Sequence, residues 1–243
     1  MKRGWVVLST ILLCQLSTVS KALADTVCID PGHPSEIGNG ATSKSISEIR
    51  AAWLVAQQMK KEFEAVGVKV VLTKSKETEM VKNRDRSRIA NEARADLMIR
   101  LHCDSQSGSG FAVYVPTKQG TAQGKTGPSD DVIKKCGLLG KPFHSTLVEC
   151  LGGKLHDNGL MSDTKTAVGS QYGALIGSIF SEVPVVLVEM CRLTSKDDEA
   201  FIASKKGQDL MAKSLVKASL AAIKAIKEAE SRGSLGVRGK TGK

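Results

Sequence analysis

Aromatic residues are scarce in this 243-residue chain, at 4%, and none of its six cysteines lies in a Cys-x-x-Cys pair. The first scarcity, with basic residues scattered rather than striped, argues against a nucleic-acid surface, which needs stacking rings and a cationic track. The second excludes a thiolate zinc cluster. No His-Glu-x-x-His helix motif and no internal repeat is present. The longest apolar run, Trp5 to Leu16, falls short of the roughly 20 residues a membrane-spanning helix requires.

What is present suffices for one globular domain: 41% of residues are apolar and 25% are charged. Residues 1–24 read as an export signal, with Lys2 and Arg3 before the apolar run and Ala22-Leu23-Ala24 as a small-residue cleavage site. Cleavage would remove Lys2, Arg3 and Lys21 but no acid, so the formal charge falls from +10 to +7. No stable membrane span is then expected. The destination is outside the cytoplasm, periplasmic or at the cell wall, where a basic surface meets anionic polymers before it meets nucleic acid. Cys28, Cys103, Cys136, Cys150 and Cys191 remain, an odd number, and a Cys136–Cys150 bridge closing a surface loop is the pairing expected.

Periodicity predicts an α/β fold: a single domain with a mixed, mostly parallel twisted sheet flanked by helices. Strands are expected at Thr26–Asp30, Val68–Thr73, Leu97–Leu101, Phe111–Val115, Tyr172–Ile176 and Val185–Met190. Helices are expected at 46–66, where Ile46, Ile49, Trp53, Ala56, Met59, Phe63 and Val66 share a face, at 82–93, at 144–155 and at 197–229. Gly67 should stop the first of these. Residues 118–141, rich in Gly, Lys and Ser, read as a surface excursion from a domain spanning 25–230, and residues 231–243 as a flexible basic tail.

Polar groups gather where strands should end: Asp30-Pro31-Gly32-His33, Leu101-His102-Cys103-Asp104 and Val188-Glu189-Met190-Cys191. Ligands of open α/β sheets collect at that carboxyl edge. Zinc hydrolases use two His and a carboxylate as ligands, with a second carboxylate to take a proton from water. His33, His102, Glu48 and Glu189 fill those roles, but their spacing is no local motif, and His144 or His156 could serve equally. Ser45-Ile46-Ser47-Glu48 also reads as a capping box in which Glu48 bonds back to the helix terminus. Glu189, an acid inside an apolar strand, is costly unless it has work there. Cys28, Cys103 and Cys191 fall beside the same edge, as a thiol centre or as small buried residues, the blander reading being preferred.

Taken in order, Val27-Cys28-Ile29-Asp30-Pro31-Gly32-His33, the helical Glu48, Arg100-Leu101-His102 and Val186-Leu187-Val188-Glu189 resemble the zinc-dependent N-acetylmuramoyl-L-alanine amidase family. So do the connecting segments Gly67–Thr73, Arg88–Asn91, Ala95–Leu97 and Ser195–Glu199, over about Thr26–Ala229. The resemblance implies Zn2+ held by His33, Glu48 and His102, and Glu189 as the catalytic proton carrier, displacing the capping role for Glu48. It implies hydrolysis of the amide between N-acetylmuramic acid and L-alanine in peptidoglycan or muropeptides. The alternatives are a zinc peptidase or carboxypeptidase acting within the stem peptide and a non-catalytic wall-binding module. Two departures are visible: Cys103-Asp104 follows His102 where the family has a small residue and Asn, and Met190-Cys191-Arg192 replaces a Leu-Gly-Phe stretch. Some periplasmic relatives cover their zinc with an inserted helix until a partner removes it. The short, poorly amphipathic 118–141 segment argues against that here, while a protein activator stays open.

Overall fold

The computed structural model describes residues 24–233. The expected export signal and basic tail therefore lie outside the described residues, save Ala24 and residues 231–233. The elements run β1 (Thr26–Pro31), α1 (Glu48–Ala65), β2 (Lys69–Leu72), α2 (Asn83–Glu92), β3 (Leu97–Asp104), β4 (Phe111–Val115), β5 (Gly120–Ala122) and β6 (Lys125–Gly127). They continue with α3 (Asp130–Leu151), β7 (Asp157–Ser162), α4 (Ala167–Tyr172), α5 (Ile176–Ile179), β8 (Val185–Arg192), α6 (Lys196–Ala203) and α7 (Lys205–Ser231). Six strands form one sheet in the order β2-β1-β3-β8-β4-β7, parallel throughout except where β4 runs against β8, and β5 pairs with β6 as a separate hairpin.

The central strands are near-continuous apolar runs because helices cover both faces. α1, α3 and α7 pack together on one face, while α2 and α5 lie on the other beside the β5–β6 hairpin. α1 buries Ala51, Ala52, Val55, Ala56, Met59 and Phe63 and ends where Gly67 takes a left-handed φ of 80°. Its N-cap is Ser47, whose Oγ accepts from the Arg50 N–H at 3.2 Å, rather than Ser45. Among the described residues, no helix is long and apolar enough to cross a membrane.

Four expectations give way. Residues 118–141 are no surface excursion: after the hairpin, Ser129 caps α3, and Val132, Cys136, Leu139 and Phe143 form a buried stripe. Lys134, Lys135, Gly137 and Gly140 hide that stripe in the sequence. The buried Lys135 is tolerated because Asp131 and Glu230 pair with it at 3.0 and 3.2 Å. Cys136 and Cys150 sit on this one helix, 14 residues or roughly 21 Å apart along its axis, far beyond disulfide reach. All five described cysteines are free. Residues 172–176 are not a strand, because Thr166 caps α4 and Gly173 closes it at φ 87° before α5; the strand is β7, upstream. The expected 197–229 helix is two, broken at Ser204, whose Oγ caps α7 by accepting from the Gly207 N–H at 2.9 Å.

Candidate metal centre

Parallel register aligns functional side chains in two rows across the sheet. Asp30 of β1, Arg100 of β3 and Leu187 of β8 stand opposite one another; two residues further along, His102 stands opposite Glu189. Alternation puts both rows on one face. His33 follows β1 at the carboxyl edge, and Glu48 opens α1 above it.

His33, Glu48 and His102 bring one ligand atom each within 4.8 Å of the others. His33 adopts a left-handed φ of 49°, uncommon for a residue with a side chain. Its Nδ1 hydrogen-bonds the Gly38 carbonyl at 2.9 Å, which makes that nitrogen the donor and turns the Nε2 lone pair toward Glu48 Oε1, 3.5 Å away. Glu48 Oε2 accepts from the Ala41 N–H at 2.8 Å, while Oε1 accepts from the Cys103 N–H at 3.1 Å and lies 2.9 Å from His102 Nδ1. Burial alone would raise the Glu48 carboxyl, but His102, His33 and the Ala41 N–H outweigh it and hold it below its ordinary value. Burial pushes His102 down, against the pull of Glu48, and so favours the neutral imidazole that binds metals. Its Nε2 is buried without a hydrogen-bond partner. Two imidazoles, one of them with a buried unpartnered nitrogen, and a carboxylate converging in one place fit a divalent cation by donor set.

Glycine makes the cradle possible. A Cβ on Gly40 would stand 2.6 Å from Glu48 Oε2 and 2.9 Å from the His33 ring, and one on Gly32 would stand 2.5 Å from His102 Cε1. Glu189 faces the same cavity as His33 and His102, a space of about 180 Å3. Its Oε2 is buried and unpartnered. Burial, then the charges of Glu48 and Asp104, raise its carboxyl well above the ordinary value against Arg100 and Arg192.

A network that sequence reasoning missed lies under the cluster. Asp30, fully buried, accepts from Arg86 Nη1 at 2.5 Å, Arg100 Nε at 2.8 Å and Thr73 Oγ1 at 2.5 Å. Burial raises this carboxyl, but the two guanidinium groups and Thr73 overcome it and hold it far below the usual carboxylate range. Arg86 also donates to the Pro31 and Pro34 carbonyls at 2.8 Å each, bracketing His33, whose own carbonyl accepts from Lys74. The available signal was of the kind that marked Glu189: Arg100 is a charge inside an apolar strand.

The remaining candidates lie apart. His144 Nε2 pairs with Asp157 Oδ1 at 2.8 Å, away from the cluster, and His156 contributes nothing to it. Burial pushes the Cys28 thiol up, and the Cys191 contact with burial raises that of Cys103, so neither is a ready thiolate. They fill space, with the Cys103 and Cys191 sulfurs 3.7 Å apart.

A family model described as N-acetylmuramoyl-L-alanine amidase matches residues 27–221. The chain is similar to the sporulation-specific N-acetylmuramoyl-L-alanine amidase of Bacillus subtilis (strain 168), at 31% identity over 93 residues. That match takes in 37% of this chain and only 35% of the relative. The fold resembles an N-acetylmuramoyl-L-alanine amidase from Clostridium difficile 630, with TM-score 0.66 and 21% identity over 83% of this chain and 98% of that one. It also resembles AmiC2 of Nostoc punctiforme, with TM-score 0.62 and 19% identity over 82% and 97% of the two chains. The CwlD amidase from Clostridioides difficile, solved in complex with the GerS lipoprotein, gives 0.58 and 16% over 82% and 98%.

Proposed function

The chain belongs to the N-acetylmuramoyl-L-alanine amidase family, and from that premise we propose that it hydrolyses the amide joining N-acetylmuramic acid to L-alanine in peptidoglycan. His33, Glu48 and His102 would hold Zn2+, and Glu189 would carry the proton. The observation that carries this reading is the convergence of three ligand atoms within 4.8 Å beside an unpartnered Glu189 Oε2.

Bound Zn2+ would polarise the scissile carbonyl and lower the pKa of a coordinated water toward about 7. The chain's own residues do the rest. The Gly38 carbonyl fixes the His33 tautomer, and the Ala41 and Cys103 N–H groups fix Glu48. Glu189 accepts the proton of the attacking water and returns it to the departing amine, one carboxylate acting as base and then acid. The apolar walls of the cavity, Ile37, Val168, Leu175 and Leu187, limit water around the reacting amide.

The site of action would be outside the cytoplasm, after export by residues 1–24, in the periplasm or at the wall. A protein partner, as a possible activator, is part of the proposal; the CwlD neighbour solved in complex with GerS supports a partner. The test is digestion of peptidoglycan by the purified protein, with and without a chelator, followed by mass spectrometry of the released ends. Free peptides beginning at L-alanine, lost with chelator, support the amidase. Cuts inside the peptide would instead make it a zinc peptidase, and polymer bound without cleavage would point to a wall-binding module or to a missing activator.

A further inference from the structure

Arg100 borders the cavity beside the metal cluster yet belongs to neither the ligand set nor the proton path. Its side chain is almost wholly buried, at 3% exposure for the residue. A guanidinium has five N–H donors. Nε donates to Asp30 Oδ2 at 2.8 Å and Nη2 to Asn83 Oδ1 at 2.5 Å. Nη1 lies over Gly177, where a Cβ would collide with it, and it has no acceptor among the described residues. Two buried guanidinium groups, Arg86 and Arg100, share the single carboxylate of Asp30, so Arg100 has no carboxylate of its own in ion-pair contact. The walls around it, Val168, Leu175, Ile176 and Leu187, are apolar.

A buried cation with spare donors at the edge of an apolar cavity gains most from a carboxylate, which a neutral sugar hydroxyl cannot replace. The geometry points to Arg100 as the specificity-determining residue for a carboxylate on the peptide side of the substrate. This rests on the amidase reading. The position of that carboxylate follows from the strand. Arg100 precedes His102 by two residues, about 7 Å along β3, and two residues of extended peptide span at most about 7 Å. The carboxylate is therefore that of the residue after L-alanine.

Two soluble N-acetylmuramoyl dipeptides test this, identical except that the residue after L-alanine carries a free α-carboxylate in one and a carboxamide in the other. Wild type should cleave the acid with kcat/KM about 10- to 100-fold above the amide, the size expected of a charge-assisted bond in a dry site. Arg100→Gln should bring the acid down to the level of the amide, and Arg100→Lys, a point charge without the fork, should keep part of the preference. Equal cleavage of both by wild type overturns the inference, as does a preference that persists in an Arg100→Gln protein with wild-type circular dichroism and Tm. Should Arg100→Gln not fold, the wild-type pair decides alone. Cleavage of neither substrate counts against the amidase reading itself. Calorimetry with the two free dipeptides then still tests Arg100: the acid should bind at least about 10-fold tighter, and equal binding would refute its role.

Discussion

Glu48 does not bond back to the start of its own helix. Both of its oxygens are spent on Ala41, Cys103 and His102, whereas the helix terminus is served by Ser47. Gly40 is required for that arrangement, since any Cβ there meets Glu48 and His33 at a φ of 72°. Gly40→Ala should lower zinc affinity about 10- to 100-fold, measured by competition with a chromogenic chelator. A wild-type affinity would show that the loop yields without disturbing the ligands. Beneath them, Arg86→Met removes one of the two guanidinium partners of Asp30 and the donors to the Pro31 and Pro34 carbonyls, and should cost about 1–3 kcal/mol in urea unfolding. The same Asp30 makes stability pH-dependent. Its folded pKa lies well below the unfolded value of about 3.9, so its contribution is complete above that value and fades as pH falls below it. Unfolding free energies measured from pH 6 to pH 2.5 should therefore fall more steeply in wild type than in Asp30→Asn.

α3 shows where pattern reading stops. Its buried face is interrupted in the sequence by Lys134, Lys135, Gly137 and Gly140, so no stripe is visible until Lys135 is seen paired with Asp131 and Glu230. Leu139→Ala on this helix should cost about 2–5 kcal/mol; a surface loop would lose almost nothing, and chemical denaturation distinguishes the two. By contrast, α1 and β4 were legible, because Ala56, Met59 and Phe63 repeat at helical spacing and Phe111–Val115 is a short apolar run after a Gly/Ser turn. The α4–α5 turn was not, since Thr166 capping and the left-handed Gly173 are local hydrogen-bond and backbone facts that hydropathy does not register. The four polar residues of the proposed centre were readable individually from strand ends and as a set only through family resemblance. Their convergence depends on β1, β3 and β8 being spatial neighbours, although β8 follows β3 by some 80 residues of chain.

The whole molecule joins a carboxyl-edge site to a composition with net positive charge. The parallel register of β3 and β8 fixes His102 opposite Glu189, and the covering helices leave one cavity face open beside them. A formal charge of +10 for the full chain, +7 after the expected cleavage, would favour anionic wall polymer. Retention on isolated cell walls should therefore weaken markedly between 50 and 500 mM salt, roughly as the screening length shrinks from about 14 to 4 Å. Salt-independent retention in a sedimentation assay would assign binding to the cavity rather than to charge. The central claim is that His33, Glu48 and His102 hold the metal while Glu189 moves the proton. Its most direct measurement pairs zinc content by plasma mass spectrometry with peptidoglycan cleavage for wild type, His102→Ala and Glu189→Ala. Near-stoichiometric zinc with turnover down about 10²- to 10⁴-fold in Glu189→Ala, and loss of both metal and turnover in His102→Ala, is the predicted result. Zinc retained in His102→Ala, or full turnover in Glu189→Ala, would contradict it.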